Sequence, residues 1–162
     1  MINLRSRTAL AAVILGVPAL AGCSTNFGAP TDQVYNPARG VNDRSGRVDV
    51  LNALVVSGTD GSGTVVATLV NNESGESDRL VSVAVDGATA NINAGAGSTD
   101  IGPLGYLNLG TTGAVSASSD RIVPGNFVDI AFTFQRGKAI TVHAPVVPHS
   151  GDYEDVPVKQ AR

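Results

Sequence analysis

The chain has one cysteine, Cys23, one methionine, Met1, and two histidines, His143 and His149, in 162 residues. A lone cysteine excludes an internal disulfide, a dithiol redox pair and a thiolate-rich metal site. The core is held by burial alone, which a chain of this length can manage. Bases are scattered singly, as at Arg79, Arg121 and Lys138, so no basic patch exists for nucleic acid. No internal repeat points to a solenoid. With two histidines and no Gly-x-Ser-x-Gly turn, the sequence offers no serine-hydrolase triad, and it is read as non-enzymatic. The glycines from Gly95 to Gly113 precede no helix, so they form no phosphate-binding loop.

What the sequence does have begins at its N-terminus. Residues 1–7 carry Arg5 and Arg7 and no acid, and residues 8–21 carry no charge. A short positive head followed by an apolar run too short to span a bilayer, with Gly16 and Pro18 inside it, is a secretory leader. Leu20-Ala21-Gly22-Cys23 then matches the lipobox pattern of bacterial lipoproteins. In that pattern the chain is cleaved between Gly22 and Cys23, and the thiol of Cys23 carries a diacylglycerol. The expected location is the extracytoplasmic face of the cell membrane, with the lipid as the membrane contact. Without Arg5 and Arg7, nine bases stand against fourteen acids, a net charge of −5. That sign repels the body from anionic headgroups and leaves anchoring to the lipid.

Four segments are expected: the leader, 1–22; the lipidated Cys23 with a flexible tether, 23–46; a β-sandwich domain, 47–147; and a loose acidic tail, 148–162. The tether contains Pro30 and Pro37 and little apolar periodicity, which gives a reach of roughly 25 Å. Val34, Tyr35 and Val41 could instead pack it along the domain. In the domain, apolar residues come in short Val- and Thr-rich runs bounded by turn residues, the pattern of strands. Strands are expected over 47–57, 64–71, 79–86, 88–93, 127–134 and 139–147, with a short one among Tyr106, Leu107 and Leu109. In the first, Val48, Val50, Leu54 and Val56 share one face, with Asn52 the exception. In the last two, Val128, Ile130, Phe132, Phe134, Ile140, Val142, Ala144 and Val146 point inward, while Asp129, Thr141 and His143 point outward. Asp60-Gly61 and Asp86-Gly87 carry turn chemistry. The fold class is all-β, an antiparallel sandwich of about seven strands with a cupredoxin- or immunoglobulin-like Greek key.

The last hairpin carries a resemblance. Gly125-Asn126-Phe127-Val128-Asp129-Ile130-Ala131-Phe132-Thr133-Phe134 and Ile140-Thr141-Val142-His143-Ala144-Pro145-Val146-Val147 resemble the closing hairpin of the periplasmic copper chaperone family called PCuAC. Val70-Asn71-Asn72 and Asp78-Arg79-Leu80-Val81-Ser82-Val83 resemble its early hairpin. The chain is also similar to actinobacterial surface lipoproteins built on that domain, with a lipobox, a polar tether and a segment like Asn42-Asp43-Arg44. The resemblance implies a small cupredoxin-like sandwich and copper as the one conceivable cofactor. It also implies a ligand set of His, a downstream Met and a late His-x-Met pair, because Cu(I) prefers thioether and imidazole donors. The stretch Asp86–Asn93 has no His, and Gly102–Ser119 has neither His nor Met, so no position matches that set.

The remaining candidates are weak. His143 lies on an outward strand face, and His149 lies near Asp152, Glu154 and Asp155, where imidazole and carboxylate together suit Zn(II) or Cu(II). Asp49 with Asp129 is a conceivable carboxylate pair, and Asn72-Glu73-Ser74 has the pattern of a glycosylation triplet. The reading is a non-enzymatic module that binds or scaffolds an envelope protein, glycan or lipid. The alternative is a metal-handling protein with a non-standard site. Radiolabelled palmitate fed to cells expressing the chain is expected to label the wild type and not Cys23→Ala; an unlabelled wild type rejects the lipid anchor.

Overall fold

A computed structural model describes residues 39–93, 98–111 and 113–158. The expected leader, the expected cleavage and lipidation site at Gly22–Cys23 and residues 24–38 lie outside the described residues. The strands are β1 (Val41–Asp43), β2 (Val48–Ser57), β3 (Ser62–Asn71), β4 (Asp78–Val85), β5 (Ala88–Thr89), β6 (Asn91–Ile92), β7 (Asp100–Ile101), β8 (Tyr106–Asn108), β9 (Val115–Ser118), β10 (Phe127–Phe134) and β11 (Ile140–Pro148). One 3-10 turn follows at Gly151–Tyr153, and no α-helix occurs among the described residues.

The long strands lie where the apolar alternation puts them, because period-two alternation buries one face of a strand. Three short strands, β1, β7 and β9, escaped the sequence reading: two or three residues cannot show a period, and Val115-Ser-Ala-Ser is nearly all small. The sheet path runs β5-β4-β10-β11-β2-β3-β9-β6, with β1 on β2, β7 on β4 and β8 on β3. Its two ends are neighbours in the chain, for only Ala90 separates β5 from β6. β5 pairs with β4 and β6 pairs with β9. Ala90 itself is buried, and its N–H donates to the Val83 carbonyl at 2.8 Å. The sheet thus nearly closes into a barrel, and closure hides strand edges that would otherwise invite pairing with other chains.

The expectation of a wholly antiparallel sheet needs one correction. β11 runs parallel to β2, with Val146 opposite Val55 and Val147 opposite Val56. The other pairings are antiparallel. The four-residue connection from β2 to β3 ends in an Asp-Gly turn, and a two-residue Asp-Gly turn joins β4 to β5. Asp60 and Gly61 have φ of 54° and 67°, and Asp86 and Gly87 have 49° and 80°. Both central residues of a type I′ turn need positive φ, and that turn matches the twist of a hairpin.

A bulge in β2 changes which residues form the core. The register with β3 shifts between Leu51 and Leu54, and Asn52 is left-handed at φ 52°. One extra residue moves every later side chain to the opposite face. Val48, Val50, Ala53 and Val55 therefore line the barrel interior with Phe132, Ile130, Leu69 and Leu80. Leu54 and Val56, expected to share the face of Val48 and Val50, point the other way. They form a second apolar cluster with Val147, packed by Val66, Tyr153, Val156 and Val158.

That second cluster corrects the expectation for the tail. Residues 148–158 lie along the barrel wall and are not a loose end. The Thr64 hydroxyl donates to the Pro157 carbonyl, and His149 meets the Val156 carbonyl at 2.9 Å. The boundary of the tether moves as well. Residues 39–46 belong to the body: β1 pairs with β2 across Val41–Ala53, and Asn52 Oδ1 accepts the Gly40 N–H at 2.9 Å.

A stop codon after Pro148 is expected to expose Leu54 and Val56 and to lower stability by roughly 3–6 kcal/mol, at about 1.5–3 kcal/mol for each fully buried aliphatic side chain. Urea denaturation reads this as a lower midpoint; an unchanged midpoint shows that the strap contributes nothing.

Candidate functional site

The outer face of the β10–β11 hairpin holds the most organised group of functional side chains. Alternation along β10 points Phe127 and Asp129 outward, and alternation along β11 does the same for His143. The hairpin register sets Asp129 directly opposite His143 and Phe127 opposite Pro145. His143 is therefore also the diagonal neighbour of Phe127, within reach of an aromatic ring. Their rings stack with centroids 5.2 Å apart and planes 13° apart. His143 Nδ1 lies 2.8 Å from Asp129 Oδ1. A carboxylate only accepts, so the Nδ1–H donates, and the neutral ring then carries its lone pair on Nε2. The imidazole is 62% exposed.

The framework behind this pair is well bonded. Asp86 Oδ1 accepts the backbone N–H of Asp129 at 3.1 Å, and Asp86 Oδ2 accepts the Ser119 hydroxyl at 3.0 Å. Arg121 donates to the Phe127 carbonyl at 2.8 Å and lies 4.0 Å from Asp86. An oriented imidazole with a free Nε2 can accept a proton or give one bond to a metal. A carboxylate on the remote nitrogen is the usual arrangement behind a metal-bound histidine.

The other sequence candidates are placed elsewhere. His149 is half-buried in the tail, and its Nε2 faces the Val156 carbonyl. A carbonyl only accepts, so that nitrogen carries a proton and is occupied. Asp152, expected near it as a co-ligand, faces Arg39 at 3.7 Å. Asp49 does not pair with Asp129: it is buried in β2, where it accepts from Asn72 at 2.7 Å and from Arg44 at 3.3 Å. The pairing of Asp129 with His143 was missed by sequence reading. The hairpin is symmetric about Arg136, and counting outward from that turn gives this pair.

Among the described residues no group of three or more His, Cys, Asp or Glu side chains is placed to hold a metal ion. His143 has one acidic neighbour and no second imidazole or thioether, so the site lacks the soft, multi-dentate donor set that Cu(I) requires.

Comparison with solved structures gives the fold. The chain is similar to the apo PCuAC domain from PmoF1, with a TM-score of 0.55 and 18% identity over 67% of this chain and 99% of that one. It is also similar to the copper-bound PCuAC domain from PmoF2, with a TM-score of 0.56 and 18% identity over 67% and 98%. The body therefore has a PCuAC-like, cupredoxin-like β fold. No protein-family model and no curated protein matches the sequence. The donors expected from the resemblance, His and Met, do not fit here: the one Met is Met1, His149 is held by Val156, and His143 is part of no group of three or more metal-binding side chains among the described residues.

Nitrogen-15 long-range NMR of the imidazoles is expected to show neutral His143 as the Nδ1–H tautomer. Asp129→Ala is expected to shift it toward Nε2–H, the form favoured without an acceptor at Nδ1. An Nε2–H wild type refutes the Asp129 bond in solution.

Proposed function

We propose that the chain is a lipid-anchored lipoprotein of the extracytoplasmic face, whose PCuAC-like body is a non-enzymatic binding or scaffold module for an envelope protein, glycan or lipid. The observation that carries this reading is a PCuAC-like fold joined to a sequence without the family's donors. The donors are soft ligands, and backbone carbonyls or serine hydroxyls do not replace them for Cu(I). A fold kept without its site has been put to another use, because function resides in sites and not in architectures. The leader, the lipobox at Gly22–Cys23 and the negative body support the location.

A second reading, metal handling through a non-standard site, draws on the likeness to the copper-bound domain and on one feature of this chain. Asp129 orients His143 and leaves its Nε2 to solvent. A single imidazole binds weakly alone but can complete the coordination of an ion delivered by a partner.

Competition titration of the mature chain in non-ionic detergent with Cu(I) and Cu(II), beside His143→Ala and His149→Ala, separates the two. The expected result is no stoichiometric Cu(I) binding and weak Cu(II) binding only. Tight, stoichiometric binding that disappears in His143→Ala makes metal handling the function and removes the scaffold reading.

A further inference from the structure

A cleft of about 650 Å³ opens at one end of the barrel. It lies between the β1–β2 turn (Asp43, Ser45, Gly46, Arg47), the loop after β3 (Asn72, Glu73) and the β10–β11 turn with the start of β11 (Arg136 to Thr141). Three cations line it: Arg47, Arg136 and Lys138. The other bases of the described residues each meet one carboxylate. Arg39 faces Asp152, Arg44 faces Asp49, Arg79 faces Asp100 and Arg121 faces Asp86. In the cleft three cations share two carboxylates, for Arg47 also lies 3.6 Å from Glu73 Oε1. Arg47 and Arg136 both donate to the same oxygen, Glu76 Oε2, at 2.9 and 2.7 Å. Lys138 has no ion-pair partner among the described residues. The Arg136 hydrogen bond and charge, and then those of Arg47, hold the Glu76 carboxyl below its ordinary pKa, so it stays ionised and keeps the two guanidiniums side by side.

The cleft is built, and not a chance gathering of flexible side chains. Asp78 is 95% buried, and its Oδ1 accepts the backbone N–H of Arg136 at 3.1 Å, which pins the turn that carries Arg136 and Lys138. Asn72 donates to Asp49 at 2.7 Å, and its own N–H donates to the Arg47 carbonyl at 3.1 Å. Asp43 is turned onto Ser45, whose hydroxyl and N–H both donate to its Oδ1 at 2.6 and 2.8 Å.

We infer that this cleft binds an anionic group carried on a polyol, such as a sugar carboxylate or a sugar or glycerol phosphate. Guanidinium forks match the planar carboxylate and the phosphate face, and the Lys138 ammonium adds a mobile point charge. Asn72, Ser45 and Thr141 supply neutral donors and acceptors, and Glu73 an acceptor, for hydroxyl groups. The volume exceeds that of a bare ion and falls within the range of small-ligand sites. The inference gives the binding role proposed above a site and a ligand chemistry, and it rests on that reading only for the compartment.

The test is calorimetric titration of the mature chain, in non-ionic detergent at low salt, with glucuronate, glycerol 3-phosphate and glucose. Both anions are expected to saturate the site and glucose is not. Binding is expected to weaken about tenfold in Arg136→Gln/Lys138→Gln, a loss of about 1.4 kcal/mol, and to fall with added salt. Glu76→Gln removes the shared carboxylate and is expected to bind the anions more tightly, a gain that misfolding cannot mimic. If glucuronate alone or glycerol 3-phosphate alone saturates, the ligand is the sugar acid or the polyol phosphate respectively. Glucose binding as well as glucuronate, no saturation by either anion to roughly 10 mM (a binding energy near 3 kcal/mol), or anion binding unchanged in the double variant overturns the proposal. Failure here leaves the envelope-module reading standing, and tight copper binding in the earlier titration does not alter this outcome.

Discussion

Asn52 is the residue on which the arrangement of the body turns. Its left-handed backbone inserts one extra residue into β2, and its side chain bonds the incoming chain at Gly40 while its N–H donates to Asn42 Oδ1 at 2.6 Å. Asn tolerates this conformation better than any β-branched neighbour does. Before the bulge, Val48 and Val50 face the interior; after it, Ala53 and Val55 take that role and Leu54 and Val56 face outward. A strand with valine and leucine on both faces is stable only when both are covered. The tail, with Tyr153, Val156 and Val158, covers the outer side. The parallel partner β11 fits beside β2 for the same reason, since parallel pairing suits strands buried on both faces.

Closure of the sheet is the second constraint. The segment from Ala88 to Ile92 turns from β4 to β9 around the buried Ala90. A large side chain at Ala90 would have to displace core valines, in an interior packed as densely as a crystal. Buried polar groups fix the loops around this frame. Asn71, almost wholly buried, donates to the carbonyls of Glu76 at 2.7 Å, Gly102 at 3.1 Å and Ile101 at 3.3 Å. Those bonds hold the loop after β3 against the β7–β8 connection and so set one wall of the charged cleft.

The chemistry of the body sits in two places, on the face and at the turn of the β10–β11 hairpin. The hairpin face presents a stacked, carboxylate-oriented imidazole. The turn at the end of the same hairpin presents Arg136 and Lys138 to a cleft that Arg47 completes from the other side. Neither place resembles the soft-donor site that the PCuAC resemblance implies, and the fold likeness alone does not supply one. In the proposed function the lipid at Cys23, and not the negative body, makes the membrane contact, because like charge repels the body from anionic headgroups.

The sequence by itself determined the β class, most strand positions and the inward residues of β10 and β11, because period-two alternation and Asp-Gly turns are local signals. It also carries the lipobox pattern at Gly22–Cys23 from which the lipid anchor is proposed, a pattern that depends on which residues are present and not on where they lie. Only the tertiary structure decided the face of Leu54 and Val56. That depends on a one-residue slip whose sign, Asn52, is a single ambiguous polar residue in an apolar run. The docked tail, the parallel pairing of β11 with β2 and the gathering of Arg47, Arg136 and Lys138 were hidden for a related reason. Each joins segments tens of residues apart, and no pattern within a window records which distant surfaces must cover or charge one another.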